Sequence, residues 1–471
     1  MHSDNPEGDV PESDGSESVA ALASRFDKQF LFGVATAAYQ IEGAAKADGR
    51  GASIWDTFSH TPGKVVNGDT GDIACDHYHL WESDLDLIES LGLKVYRFSI
   101  AWPRIFPTGS GTPNQAGLDF YQRLIDGCHK RGIKPFATLY HWDLPQQLQD
   151  AGGWQNRATA IAFADYAKTI AECFGDRLET LVTFNEPWCS AYLGHLYGIH
   201  APGVKDPGVA LTVVHNQHLA HGLAVKAIRA LQPDLPVGIV LNAQSVYADT
   251  PDDTDAVLRH RAFHNGAFFD PLFNGQYPQA LVDACGDLLP QGWQSDLTDI
   301  NQPLDFWGLN YYTPTRIRDK PGAMKANAYP HTDSPGHKAG TVVTDIGWEV
   351  YPQALSDLLV ELSKTYALPP CYITENGACY NDGLVDGRVD DKRRVSYVAG
   401  HLHAVADAIE AGVDVRGYFL WSFLDNFEWA EGYTMRFGAV HVDYASQTRT
   451  VKRSGHWYAA LGRLHSADNP L

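Results

Sequence analysis

Apolar and polar positions along the chain follow two patterns that alternate with each other. Short runs rich in β-branched and aromatic residues, such as residues 95–102 and 181–187, end abruptly in polar side chains. Longer runs, such as residues 79–93 and 117–132, carry apolar residues at steps of three and four. The first pattern predicts buried strands and the second predicts amphipathic helices. The eight strands are predicted within residues 30–43, 95–102, 133–145, 179–187, 236–248, 304–313, 370–377 and 415–429.

Each predicted strand is followed by a helical pattern, and this alternation predicts a parallel sheet. The remaining helices are predicted near residues 157–174, 209–231, 253–268, 352–366, 394–412 and 454–464. Eight such units in one chain favour the α/β class and a single (β/α)8 TIM barrel with long βα loops. An open doubly wound sheet is the alternative, but no G-x-G-x-x-G turn follows any predicted strand.

The start of the chain differs from the rest in composition. Residues 1–20 hold six acidic residues and no basic residue, and they are rich in Ser, Gly and Pro. We therefore predict a disordered acidic tail over residues 1–24 and one barrel domain over residues 25–466. The tail lacks the basic start and the apolar core of a signal peptide.

The overall charge and the cysteines limit the class of partner and the setting. A formal net charge of −21 disfavours nucleic acids and anionic membranes as partners and favours a small-molecule substrate. No apolar run is long enough for a transmembrane helix. The seven cysteines are scattered without a C-x-x-C pair, which favours a reduced, cytoplasmic location. No spacing of His and Cys fits a firm zinc pattern, so we predict neither a metal nor a cofactor.

Polar and aromatic side chains follow the predicted strands at the ends where barrel active sites lie. Glu186 ends the fourth strand and Glu375 ends the seventh, so both carboxylates can face one bound molecule. Two carboxylates across a cavity suit glycoside hydrolysis, in which one protonates the leaving oxygen and the other acts at the anomeric carbon. An Arg97 guanidinium beside one carboxylate would keep it ionised. The other side chains at these ends are Gln40, His141, Trp142, Asn185, Asn310, Tyr312, Trp421, Glu428 and Trp429.

Four motifs resemble those of glycoside hydrolase family 1, the β-glucosidase family. The motifs are TFNEP at 183–187, YITENG at 372–377, GVATAAYQIEG at 33–43 and FLWSFLDNFEW at 419–429. The similarity runs from about residue 26 to residue 464. The resemblance implies a (β/α)8 barrel that hydrolyses glycosides with retention, with Glu186 as acid/base and Glu375 as nucleophile. Retention predicts carboxyl groups about 5–5.5 Å apart.

Roles are also expected for the residues around the two carboxylates, from the resemblance where they match family positions and from their place in the chain otherwise. Those expected to support the nucleophile are Arg97, Tyr312 and Asn310. Those expected to bind the non-reducing sugar are Gln40, His141, Trp142, Asn185, Trp421, Glu428, Trp429 and Phe437. Those expected at the aglycone entrance are Trp188, Cys189, Leu193, His200 and Trp348.

The sequence thus predicts a retaining, exo-acting β-glucosidase for cellobiose and for aryl and alkyl β-glucosides, and also for β-fucosides and β-galactosides. Cellulose degradation is the expected setting, and a homo-oligomer is left open. Glu186 distinguishes the chain from plant thioglucosidases, which carry Gln there, and Glu428 disfavours 6-phosphosugars because a carboxylate repels a phosphate dianion. Two alternatives remain: a β-glycosidase that transfers the sugar to acceptors other than water, and a non-catalytic sugar-binding barrel.

Overall fold

The computed structural model describes residues 18–320 and 330–467. Eight parallel strands close into a barrel, in which neighbours along the chain pair and the last strand pairs with the first. This order confirms the predicted (β/α)8 barrel, because an open doubly wound sheet would leave two unpaired edges. The barrel strands are β1 Leu31–Ala35, β2 Val95–Ser99, β3 Lys134–Tyr140, β4 Thr180–Asn185, β5 Val237–Leu241, β6 Phe306–Asn310, β7 Cys371–Asn376 and β8 Val415–Trp421.

Eight main helices alternate with these strands, and each overlaps a helix predicted from the apolar spacing. They are α1 His77–Ser90, α2 Gln115–Lys130, α3 Arg157–Phe174, α4 Pro207–Leu231, α5 Thr254–Arg261, α6 Gln353–Thr365, α7 Lys392–Glu410 and α8 Arg453–Ala467. The start of α4 shows how the local sequence favours the beginning of a helix. Its first residue is Pro207, and the Asp206 side chain accepts hydrogen bonds from the N–H groups of Gly208 and Val209. Both features suit a helix N-terminus, where the N–H groups have no partner within the helix: the proline lacks an N–H, and the aspartate accepts from two of them.

Shorter elements fill the loops between the main units. The short α-helices are Val19–Ser24, Ala38–Ile41, Ile54–Ser59, Trp102–Ile105, Gln146–Asp150, Ala267–Phe269, Gln279–Cys285 and Trp293–Ile300. The π-helical turns are Cys189–Leu196, Ala262–Gly266 and Asp270–Asn274. The 3₁₀ turns are Ala47–Gly49, Val66–Gly68, Gly153–Gln155, Gly175–Arg177, Pro251–Asp253, Gly286–Leu288 and Trp429–Glu431.

Among the described residues, two small sheets lie outside the barrel. The strands Val246–Ala248, Thr315–Asp319 and Thr332–Asp333 form a three-stranded sheet in the loops after β5 and β6. The strands Val440–Asp443 and Thr448–Val451 form an antiparallel pair between β8 and α8. Both sheets therefore belong to long βα loops, as the sequence predicts for this barrel.

The predicted disordered tail is too long at its C-terminal end. Residues Val19–Ser24 form a helix, whose N-cap Ser18 accepts a hydrogen bond from the N–H of Ala21. Val19 and Leu22 are buried in the main core, and the helix packs against α8. The prediction of disorder is therefore wrong for residues 18–24, because the acidic composition before them masked a short apolar run. The rest of the predicted tail, residues 1–17, lies outside the described residues.

Aromatic side chains fill the interior of the barrel. The Phe136 ring lies 5.1 Å from the Phe419 ring and 5.6 Å from the Tyr372 ring, all centroid to centroid. The interior is therefore a packed core rather than a pore, as in other barrels of this type. Strand register brings the polar ends together, since Ala35 pairs with Trp421 and Glu375 pairs with Asn310.

Within residues 18–320 and 330–467, no helix combines the length and the apolar character that crossing a bilayer requires.

Candidate active site

Two buried glutamates lie at the C-terminal ends of β4 and β7. Glu186 directly follows β4 and Glu375 lies within β7, and their residues are 5% and 3% exposed. Glu186 has a φ of 46°, a left-handed backbone conformation that non-glycine residues rarely adopt. Such strain persists only where surrounding contacts impose it, and it is common at functional sites. The structure thus brings together the two carboxylates that the sequence singled out.

The Glu375 carboxylate is bound by a cation and a phenol. Its Oε1 accepts a hydrogen bond from Arg97 Nη1 at 2.7 Å, and its Oε2 accepts one from Tyr312 OH at 2.6 Å. Burial raises the pKa of Glu375, whereas Arg97 and Tyr312 act against that shift. Both contacts favour the charged form, so they stabilise the Glu375 carboxylate against the effect of burial.

The Glu186 carboxyl has contacts of a different kind. Its Oε1 accepts a hydrogen bond from Asn310 Nδ2 at 2.8 Å, and its Oε2 lies 3.0 Å from the thiol of Cys189. Both partners are neutral donors. Burial, together with the negative charge of Glu375, raises the pKa of Glu186 to about 7. The two carboxyls therefore differ in their partners: Glu375 contacts a cation, whereas Glu186 contacts neutral donors and lies near a negative charge.

Asn185 connects the two carboxylates through its side-chain amide. Its Oδ1 accepts hydrogen bonds from Arg97 Nη2 at 2.7 Å and from Asn310 Nδ2 at 2.9 Å. These donors fix the amide orientation, and Nδ2 lies 3.2 Å from His141 Nε2. Burial lowers the pKa of His141 well below its usual range, so the imidazole is neutral. The Asn185 and His141 side chains form a neutral hydrogen-bonding group beside the charged Arg97.

Gln40 and Glu428 meet where the loop after β1 contacts the loop after β8. Gln40 Nε2 donates to the carbonyl of Phe427 at 2.8 Å and lies 3.4 Å from Glu428 Oε2. Within the described part of the chain, Gln40 Oε1 is buried and has no hydrogen-bond partner. Burial and the charges of Glu375 and Glu186 raise the pKa of Glu428 to about 8. These are polar groups still able to bind a hydroxylated ligand.

Tryptophan rings line this group of polar side chains. The His141 ring is stacked at 5.9 Å against both Trp421 and Trp429. Trp142 lies 4.5 Å from Trp429, and its Nε1 donates to the carbonyl of Asn185 at 2.9 Å. Trp142 and Trp429 have φ values of 75° and 52°, so they share the left-handed backbone of Glu186. Flat aromatic surfaces beside hydrogen-bonding groups suit a sugar ring, which has an apolar face and polar edges.

The residues predicted at the entrance are placed in different surroundings. Trp348 packs 5.3 Å from Tyr312 and 5.8 Å from Phe437, beside the contacts of Glu375. Trp188 donates from Nε1 to His264 Nδ1 at 2.7 Å.

Two further predicted entrance residues lie in the loop after β4. The His200 ring lies 5.3 Å from the Trp55 ring and 5.6 Å from the Trp142 ring. The carbonyl of Leu193 accepts hydrogen bonds from the N–H groups of Ile199 and His200, so it fixes the path of this loop. Their contact with an aglycone stays a prediction.

Three polar residues of the site were not predicted. Thr374 Oγ1 donates to Asn310 Oδ1 at 2.7 Å, and Asn426 Oδ1 accepts from Gln40 Nε2 at 3.1 Å. Asn242 Nδ2 lies 3.6 Å from the sulfur of Cys189. Asn242 directly follows β5, the one strand from which no site residue was chosen. A polar residue at a barrel strand end was the signal that could have identified it.

Among the side chains of residues 18–320 and 330–467, no group of three or more His, Cys, Asp or Glu is arranged to hold a metal ion.

Comparisons with known proteins identify the family of the chain. The family described as glycosyl hydrolase family 1 matches residues 22–466. A β-glucosidase of Agrobacterium sp. (strain ATCC 21400) is 56% identical over 442 residues, which cover 93% of this chain and 96% of that protein. A bifunctional β-D-glucosidase/β-D-fucosidase of Bifidobacterium breve is 46% identical over 460 residues, which cover 94% of this chain and 99% of that protein.

A solved structure has the same fold over nearly its whole length. The structure of virulence factor SghA from Agrobacterium tumefaciens is 55% identical with a TM-score of 0.92, covering 95% of this chain and 99% of that one. A second structure of SghA, in complex with its substrate analogue salicin, has a TM-score of 0.93 at the same identity and coverage. The chain therefore belongs to glycosyl hydrolase family 1.

Proposed function

We propose that the protein is a retaining β-glucosidase that removes terminal, non-reducing β-D-glucosyl residues, with Glu375 as nucleophile and Glu186 as acid/base. The observation that carries this proposal is the difference between the two carboxyls. Glu375 contacts Arg97 and Tyr312, which favour its ionised form, whereas Glu186 contacts neutral donors and has a pKa raised to about 7. A retaining glycosidase needs one ionised and one protonated carboxyl.

The first step forms a covalent glucosyl-enzyme. A Glu375 carboxylate oxygen attacks the anomeric carbon, and the bond from that carbon to the leaving oxygen breaks. Glu186 gives its proton to the leaving oxygen, so the aglycone departs as a neutral alcohol or phenol. Arg97 and Tyr312 hold the Glu375 carboxylate in place during this attack.

The second step releases glucose. Formation of the ester removes the negative charge of Glu375, so the pKa of Glu186 falls and its ionised form becomes a base. Glu186 takes a proton from a water molecule, whose oxygen attacks the anomeric carbon as the ester bond to Glu375 breaks. Two inversions at this carbon give net retention.

The sugar is proposed to bind among the polar and aromatic groups around the carboxylates. Gln40, Asn185 and His141 offer hydrogen bonds to its hydroxyls, and Trp421 offers an apolar surface to its ring. Glu428 also accepts hydroxyl hydrogen bonds and, when ionised, repels a phosphate group, so we propose an unphosphorylated sugar.

The substrate range is proposed from these groups and from the relatives. Aryl and alkyl β-glucosides and cellobiose are the proposed substrates, and the salicin complex of SghA supports the aryl class. The Bifidobacterium breve relative supports β-fucosides as further substrates, and β-galactosides are proposed with them. The seven free cysteines support a reducing, cytoplasmic location.

The pH dependence of kcat/KM on 4-nitrophenyl β-glucoside tests the proposal. We expect nitrophenol release at neutral pH and a loss of kcat/KM above about pH 7, because Glu186 then loses the proton that it must donate. At low pH the rate falls because Glu375 becomes protonated. The same assay on the β-fucoside and the β-galactoside measures the substrate range.

An internal control uses the 2,4-dinitrophenyl β-glucoside, whose leaving group needs no proton. The alkaline loss should be much weaker with this substrate, because Glu186 is no longer required as an acid. An equally strong alkaline loss with both substrates would contradict the role of Glu186, and no nitrophenol release would contradict the proposed activity.

A further inference from the structure

The Cys189 thiol lies against the carboxyl that the proposed function makes the acid/base. Cys189 begins the π-helical turn Cys189–Leu196, three residues after Glu186, and its N–H donates to the Glu186 carbonyl at 2.9 Å. The side chain is buried, and its sulfur lies 3.0 Å from Glu186 Oε2. The local turn thus returns this side chain to Glu186, which directly follows β4.

The thiol is protonated and therefore a donor. Burial and the negative charge of Glu186 raise the pKa of Cys189 well above its usual range. A thiol of this kind is not a thiolate nucleophile, but its S–H can donate a weak hydrogen bond. Asn242 Nδ2, from the end of β5, lies 3.6 Å from the same sulfur. A donor on the sulfur leaves its S–H free to point to Glu186.

The two oxygens of Glu186 have different partners, and this difference decides where a proton can sit. Asn310 Nδ2 donates to Oε1, and that nitrogen cannot accept a proton in return. The proton of neutral Glu186 therefore belongs on Oε2. Cys189 contacts the oxygen that gains and loses the proton in each catalytic cycle.

We propose that Cys189 is a positioning residue for the acid/base, whose thiol holds Glu186 Oε2 in place and stabilises its ionised form. This inference rests on the proposed function of Glu186. It assigns no covalent or redox step to the sulfur. When Glu186 is ionised, in the glucosyl-enzyme, the S–H donates to Oε2; when Glu186 is protonated, this contact weakens and the acidic proton is available to the leaving oxygen.

Two substitutions of Cys189 test the proposal. They should shift the alkaline limb of the pH profile, the pH range in which kcat/KM falls, in opposite directions. In Cys189→Ser, a hydroxyl donates more strongly than a thiol, so the alkaline limb of kcat/KM on 4-nitrophenyl β-glucoside should move down by about half a pH unit. In Cys189→Ala the donor is lost, so the limb should move up by about half a pH unit. Cys173→Ser is the matched control, because Cys173 lies near the end of α3, at the opposite mouth of the barrel, and should leave the limb unchanged.

A merely structural role would not give shifts of opposite sign. Unchanged limbs, or limbs that move in the same direction in both variants, would overturn the proposal. If Cys189→Ala fails to fold by circular dichroism, the serine variant decides alone: a downward shift supports the proposal and no shift overturns it. A failure of the proposed function itself would look different. If Glu186 is not the acid/base, the Glu186→Ala variant would show the same alkaline loss of kcat/KM as the wild type.

Discussion

Replacing Glu375 with alanine is expected to lower kcat on aryl β-glucosides on the order of 10⁵-fold, because the covalent route loses its nucleophile. Arg97 and Tyr312 would remain, but they have no carboxylate to orient. The folded state should persist, since the smaller side chain leaves space within the site rather than a clash. Nitrophenol release and a thermal melt of the same preparation measure the two effects.

Sodium azide gives this variant a sharper test. Azide is small enough to enter the space left by the carboxylate and attack the anomeric carbon from the same side. One inversion then gives α-glucosyl azide, which proton NMR identifies. Glu172→Ala, an exposed glutamate on α3, is the control and should keep full activity. Near-normal activity of Glu375→Ala, or a β-azide product, would contradict the assignment of the nucleophile.

Replacing Glu186 with alanine is expected to have an effect that depends on the leaving group. On alkyl β-glucosides, kcat/KM should fall about 10²- to 10⁴-fold, because the departing alkoxide needs a proton. On the 2,4-dinitrophenyl β-glucoside, kcat/KM should change little, because dinitrophenolate leaves without one. The measurement is kcat/KM across a series of leaving groups of graded acidity.

The second step of the Glu186→Ala reaction supplies a further check. Loss of the base should slow hydrolysis of the glucosyl-enzyme, and azide should restore turnover and give β-glucosyl azide after two inversions. Glu186→Gln keeps the size of the side chain and should show the same dependence on the leaving group. Equal losses on alkyl and dinitrophenyl glucosides would show that Glu186 does not act as the acid.

The order of barrel elements was predictable because each strand is buried on both sides and reads as a continuous apolar run. Element ends were less predictable. The second predicted strand extended to residue 102, but Trp102 begins a short helix and stacks on Tyr166 at 5.1 Å. The predicted helix at 253–268 ends at Arg261 and continues as the π-helical turn Ala262–Gly266, which apolar spacing does not distinguish from an α-helix.

The position of the site was predictable from polar residues at strand ends, but its contacts were not. The pairing of Glu375 with Arg97 depends on strand register around a closed barrel, which brings distant parts of the chain together. The contacts of Glu186 depend on a left-handed backbone and on the turn that returns Cys189 to it. Nothing in the local sequence specifies that turn, so the sequence places the thiol only at the aglycone entrance.

Trapping of the covalent intermediate tests the central claim most directly. The protein is incubated with 2,4-dinitrophenyl 2-deoxy-2-fluoro-β-glucoside, whose fluorine slows hydrolysis of the intermediate more than its formation. Intact and peptide mass spectra then locate the sugar. The account predicts one fluoroglucosyl group per chain, on the peptide that contains Glu375 and absent from Glu375→Ala. A sugar on another peptide, or turnover of β-glucosides without any trapped intermediate, would contradict it.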